Sequence, residues 1–353
     1  MIAALIIASS PEVRRQIHSA LERDHGLAVL SEAASAADGL TAFRKYHPDV
    51  VLVCTDLPAP DLLQAIDQIM GIAPKPVLVL DPVQPPGDSG LAFEALQHGA
   101  VEVLRWPPAE APGSERSRKE LPRLLRLAAS VKLVRRTTPI GRQAARAAVP
   151  PAGFPLVGIG ASTGGPPALA QVLGSLPQKV PASLLVVQHM TEGFTENFAA
   201  WLRTVVQLQI RIPRDGEPLQ AGTVYLAPEN HHLAVSQGQR ARIHSDPPVG
   251  GLRPSATVLF ESLARCTGVP RVGILLTGIG DDGAQGLLAL RRSGGHTIAQ
   301  DEASSVVYGM PKAAAEMQAA DEVLSLPQIG PRLSSLVDLH QHRLAARARM
   351  EGE

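Results

Sequence analysis

Along its 353 residues the chain repeats one alternation: short unbroken apolar runs, each followed by a stretch with apolar residues at helical spacing. An unbroken apolar run reads as a strand buried on both faces. A parallel sheet covered by helices on both sides buries strands in that way. In residues 1–106 the runs are Ala3–Ala8, Val50–Cys54, Val77–Asp81 and Val101–Arg105, with a weaker one at Leu27–Ser31. Helical patterns lie between them at Pro11–Asp24, Ala36–Tyr46, Asp61–Ile72 and Leu91–His98. The first helix has Ser10 as its N-cap and Pro11 at its first position, and Gly99 stops the last. Five repeats in about 105 residues predict a flavodoxin-like, doubly wound domain. A proline-rich insert, Pro107–Gly113, and an amphipathic helix over Ser117–Arg136 complete a domain expected to span 1–136.

Residues 137–153 have no period, little apolar bulk and several basic side chains, and read as a linker. A second, mostly parallel α/β domain is expected over 154–342, followed by a polar, frayed tail at 343–353. Its strands include Leu156–Gly160, Ser183–Gln188 and Val272–Leu276, and its last helix is expected over Pro327–Leu339. The block 209–245 reads as short antiparallel strands inserted into this sheet. The fold class is therefore α/β, with two doubly wound domains.

Charge excludes several functions. The chain has 33 Lys+Arg against 33 Asp+Glu, which removes the electrostatic case for non-specific nucleic-acid or membrane-surface binding. The apolar runs fall far short of the ~20 residues that span a bilayer. The N-terminus lacks the basic region of a signal peptide. Cys54 and Cys266 form no disulfide framework or zinc spacing. The expectation is a cytoplasmic protein with no membrane insertion, no nucleic-acid partner, no metal and no cofactor.

Open α/β sheets place their chemistry beyond the carboxyl ends of the strands. The first strand of the second domain runs into Gly158-Ile159-Gly160-Ala161-Ser162-Thr163-Gly164-Gly165. Residues 160–164 satisfy G-x-S-x-G, which lifts a serine on a strand-to-helix turn. The same glycines resemble a dinucleotide loop, and a purely structural turn is a third reading. A dinucleotide fold wants an acid at the end of the next strand. That strand ends instead in Gln188-His189-Met190, and an imidazole there is placed to act as a base on Ser162. The strand Val272–Leu276 leads to Asp281-Asp282. Either aspartate could orient the imidazole, and either could simply cap a helix.

These residues resemble the chemotaxis protein-glutamate methylesterase family, CheB. The resemblance rests on GIGASTGG (158–165), VVQHM (186–190), LAPENHHL (226–233), RPSATVLF (253–260), LLTGIGDDGAQGL (275–287) and TIAQDEASSVVYGMPKAA (297–314). It implies a receiver-like domain, a linker and a methylesterase domain. It maps the nucleophile to Ser162, the base to His189 and the acid to Asp282. Spacing alone does not choose between Asp281 and Asp282. It implies hydrolysis of γ-glutamyl methyl esters on the cytoplasmic domain of chemoreceptors, with deamidation of receptor glutamines by the same acyl route. Backbone N–H groups near Ser162, Thr163 and Ile279 are oxyanion-hole candidates; the family commonly has Met at the Ile279 position. Chemotaxis signalling proteins docking on the N-terminal domain are a further expected class of partner.

The first domain departs from the receiver pattern. The metal-binding acids fall on Ala8-Ser9, the phosphoacceptor on Cys54, the fourth-strand hydroxyl on Asp81 and the fifth-strand lysine on Trp106. Asp56 lies two residues past the acceptor position. Without metal acids a transferred phosphoryl group is not neutralised, so the expectation is a pseudo-receiver with no phosphoacceptor. That loss also raises a non-catalytic scaffold as the alternative to an esterase. The complete Ser162, His189 and Asp282 set argues against it.

Overall fold

The computed structural model describes residues 1–82, 90–111, 114–129, 153–191 and 193–350, leaving aside the side chains of residues 116 and 339–350. The expected linker, apart from Gly153, lies outside the described residues. The chain divides into two compact units, Met1–Arg136 with Met190–Asn197, and Thr137–His189 with Phe198–Glu353.

The first unit contains β1 (Ile2–Ile7), α1 (Pro11–Glu22), β2 (Leu27–Ala33), α2 (Ala36–Tyr46), β3 (Val50–Cys54), α3 (Ala59–Ile72), β4 (Val77–Asp81), α4 (Gly90–Gln97), β5 (Glu102–Arg105) and α5 (Ser114–Ala129). All strand pairs are parallel and the order is β2-β1-β3-β4-β5, the flavodoxin-like arrangement. Every residue of β3 and β4 is buried, which is why both appear as unbroken apolar runs. Ser10 caps α1 by accepting the Val13 N–H at 3.3 Å.

The second unit contains β6 (Leu156–Ala161), α6 (Gly165–Gly174), β7 (Ser183–Gln188), α7 (Thr195–Val205) from Phe198 onward, β8 (Gln209–Arg211), β9 (Thr223–Leu226), β10 (His232–Ser236), β11 (Arg240–His244) and α8 (Ala256–Arg265). It continues through β12 (Arg271–Leu275), α9 (Ala284–Arg292), β13 (His296–Gln300), α10 (Met310–Glu316), β14 (Glu322–Leu324) and α11 (Leu326–Met350). Seven strands form one parallel sheet in the order β14-β13-β12-β6-β7-β9-β8.

Two expectations need correction. The 209–245 block is not one antiparallel insert: β8 and β9 extend the parallel sheet beside β7, and only β10 and β11 pair antiparallel, in a separate two-stranded ribbon. The fully buried β9 is a sheet strand that is merely short. The last helix also does not end at Leu339: α11 runs to Met350. Its last turns are Leu, Ala, Arg and Met, all strong helix formers, with no breaker before Gly352.

The core beneath the sheet's carboxyl edge is built by α8 and α9. Leu259, Phe260, Leu263, Leu287 and Leu290 are fully buried there with Leu275 of β12. This packing holds the start of α8 close to the loop that follows β12.

Candidate active site

Three neighbouring strands, β12, β6 and β7, end together. Gly160 pairs with Leu275, and Ala161 with Gln188. Beyond these ends the backbone is still tied: the Ser162 N–H donates to the Thr277 carbonyl at 3.0 Å, and the His189 N–H to the Ala161 carbonyl at 2.9 Å. Ser162, His189 and the 277–282 loop are thereby gathered on one edge. The chain turns into α6 through Gly164 at φ +73°, and a Cβ there would lie 2.5 Å from Val306. Only glycine meets both demands.

His189 Nε2 donates to Asp282 Oδ2 at 2.9 Å, with side-chain exposures of 11% and 5%. Nδ1 is therefore the ring nitrogen left to take up a proton. Neither the Ser162 hydroxyl nor His189 Nδ1 has a hydrogen-bond partner among the described residues. Such contacts are commonly loose before substrate binds.

Asp282 is the centre of the hydrogen bonding. Its Oδ1 accepts from Ser255 Oγ at 2.7 Å and from the Thr257 N–H at 3.1 Å. Its Oδ2 accepts from the Ala256 N–H at 2.7 Å as well as from His189. The carboxylate thus sits on the N-terminus of α8, where the helix dipole favours an anion. Burial works to raise its pKa, but the His189 hydrogen bond and charge, Ser255 and the Ala256 N–H outweigh it and hold the group well below the usual carboxylate range. Asp281 is exposed and has no contact with His189. The structure therefore distinguishes the two aspartates that spacing left equivalent.

Two further contacts order the serine turn. Gln188 Nε2 donates to the carbonyls of both Ser162 and His189, each at 2.8 Å. Thr277, fully buried, donates through Oγ1 to the Thr163 carbonyl at 2.9 Å and accepts the Val307 N–H at 2.9 Å. A Cβ at position 278 would lie 2.7 Å from Ser162 Cβ, so a glycine there lets the 278–279 peptide run alongside the hydroxyl. The backbone N–H groups of Thr163 and Ile279, the oxyanion candidates, find no acceptor among the described residues. The sequence reading missed Ser255, Thr257 and Thr277. Ser255 carried a signal, a serine opening a helical pattern after a proline, but that signal says cap rather than catalytic support.

In the first unit, Cys54, Asp81 and Trp106, the residues expected at three receiver positions, are packed side chains. Cys54 is buried, and burial first, then the nearby Asp56 and Asp81 charges, push its thiol pKa well up. Asp81 accepts the Thr55 hydroxyl at 2.7 Å. Trp106 is 1% exposed, with the Arg118 guanidinium 5.1 Å from its ring centroid. The Asp56 carboxylate accepts the N–H groups of Ser9 and Ser10 at 3.1 and 2.7 Å. It thus joins the β3–α3 turn to the start of α1.

A parallel α/β domain that presents a hydroxyl, an imidazole and a buried carboxylate at one sheet edge defines a class, the hydrolases that act through a serine. The family model described as CheB methylesterase matches residues 157–333, and the chain belongs to this family. It is 39% identical over 340 residues to protein-glutamate methylesterase/protein-glutamine glutaminase 4 of Myxococcus xanthus, covering 94% of this chain and 96% of that one. It is 45% identical over 304 residues to the protein-glutamate methylesterase FrzG of Myxococcus xanthus, covering 86% and 89%. Among solved structures, the CheB methylesterase catalytic domain of Thermotoga maritima superposes with a TM-score of 0.51 at 34% identity, covering 53% of this chain and 100% of that one. No helix among the described residues is long and apolar enough to cross a membrane.

Proposed function

We propose that this chain removes methyl groups from methylated glutamates of chemoreceptors, with Ser162 as nucleophile, His189 as base and Asp282 as the acid that orients it. The observation that carries the reading is the buried 2.9 Å bond between His189 Nε2 and Asp282 Oδ2, beside a serine lifted on a glycine turn. In this scheme Ser162 Oγ attacks the ester carbonyl carbon while its proton passes to His189 Nδ1. The resulting oxyanion is met by the Thr163 and Ile279 N–H groups. The C–O bond to the methoxy group breaks, and His189 returns the proton so that methanol leaves. Water, deprotonated by His189, then cleaves the acyl-enzyme, and the proton returns to Ser162 Oγ. The product is a receptor glutamate. Asp282 stays ionised throughout and stabilises the imidazolium.

An amide carbonyl can enter the same cycle with ammonia as the leaving group. The name of the Myxococcus xanthus relative, which pairs methylesterase with protein-glutamine glutaminase, favours this second activity. The N-terminal unit, in this reading, takes no phosphoryl group, and any signalling partner docks on it without that switch. The test is to follow methanol release from methylated receptor membranes and ammonia release from receptors carrying glutamine at the same positions. Methanol without ammonia would restrict the chain to esters; neither product would overturn the assignment.

A further inference from the structure

We infer that Ser255 is a positioning residue that acts through Asp282 to fix the imidazole of His189. The inference rests on the proposed esterase mechanism and names a residue outside the three groups of that scheme.

Ser255 occupies the N-cap position of α8 with extended backbone angles, φ −124° and ψ 132°. A serine there ordinarily turns its hydroxyl onto its own helix. This one makes no such bond. Its fully buried hydroxyl is directed to Asp282 Oδ1 at 2.7 Å. The capping is done instead by Asp282, which takes the Ala256 and Thr257 N–H groups. Cap and carboxylate have exchanged tasks: the acid caps the helix, and the serine holds the acid.

Two consequences follow for the imidazole. The first is geometric. Oδ1 is held by Ser255 at 2.7 Å and by a longer backbone bond at 3.1 Å, so the serine is the firmer restraint on that oxygen, and together with the Ala256 N–H on Oδ2 at 2.7 Å it sets the carboxylate plane that aims Oδ2 at His189. The second is electrostatic. Each donor to the carboxylate shares its charge and leaves less to stabilise an imidazolium. Removing the hydroxyl therefore makes the imidazole more basic and less well aimed.

The first turns of α6, α8 and α9 contain no acidic residue. Asp281 is exposed. Arg253 turns its guanidinium to the Ser245 and Asp246 carbonyls, at 2.9 and 3.2 Å.

The experiment uses the full chain as wild type, Ser255→Ala, Ser255→Thr, Ser255→Cys and the control Ser262→Ala. Ser262 is a buried serine of the same helix whose hydroxyl accepts the Val235 N–H at 2.9 Å, remote from the proposed chemistry. Methanol release is measured against pH, and the titration midpoint of the His189 imidazole is read by NMR. Ser255→Ala is expected to lower kcat on the order of tenfold, as for one lost bond to a charged group, with KM little changed. Its acid limb and imidazole midpoint move to higher pH. Ser255→Thr restores both, and Ser255→Cys, which keeps volume with a weak donor, falls between and serves if the alanine variant does not fold. Ser262→Ala loses thermal stability without moving the midpoint. A folded Ser255→Ala or Ser255→Cys protein with the wild-type midpoint overturns the inference, whatever its kcat. The NMR midpoint decides it even if wild type releases no methanol, a result that would sink the esterase reading instead.

Discussion

Asp281 and Asp282 are chain neighbours with the same chemistry and opposite environments. Asp282 is buried among four donors, whereas Asp281 is exposed. Asp282→Asn presents an amide where an acceptor is required, and is expected to cut turnover by roughly 10⁴. Asp281→Asn should stay within a few-fold of wild type. Steady-state methanol release of the two variants checks the ranking, and the reverse order would move the acid to Asp281. The depressed pKa of Asp282 also links it to stability. A carboxyl lowered on folding contributes stability that is full above its unfolded value, near 3.9, and is lost as pH falls through the folded value. The stability gap between wild type and Asp282→Asn should therefore narrow as pH drops below about 4, as urea unfolding at a series of pH values will read.

At the scale of elements, a carboxylate from a neighbouring loop twice ties down the chain around a helix start. Asp282 takes the first N–H groups of α8, and Asp56 takes those of Ser9 and Ser10 just ahead of α1, whose own cap is Ser10. Asp56 thus has a structural task at the place where a displaced phosphosite would be sought. Asp56→Ala should cost about 1 kcal/mol, the usual net scale of a lost hydrogen bond, seen as a lower melting temperature. The elements were legible to different degrees for physical reasons. Val50–Cys54 and Val77–Asp81 are buried on both faces, so their composition announced them. β8 is a three-residue edge strand with one buried residue, and β9 has four, so neither is long enough for a period to reveal its direction. Ser162 and His189 could be placed from sequence because each directly follows a strand. Ser255 could not, because its contact with Asp282 joins residues 27 apart in sequence, through a hydroxyl that locally looks like a cap.

The whole molecule joins a parallel α/β unit with groups suited to acyl transfer to another in which Cys54, Asp81 and Trp106, expected at the receiver positions, are buried. Phosphoryl transfer to a carboxylate needs an in-line acceptor, a divalent cation and a cation such as lysine to hold the product. Acetyl phosphate with Mg²⁺ should therefore leave intact mass and esterase activity unchanged. A hydroxylamine-labile adduct that activates the enzyme and is lost in Asp56→Asn would contradict this. The central claim is that Ser162 carries the acyl group, and its most direct test is methanol release from methylated receptor membranes by wild type and by folded Ser162→Ala. Wild type should turn over, while the variant, with circular dichroism and melting temperature retained, should fall by on the order of 10⁴–10⁶. Turnover by folded Ser162→Ala near that of wild type would contradict the account.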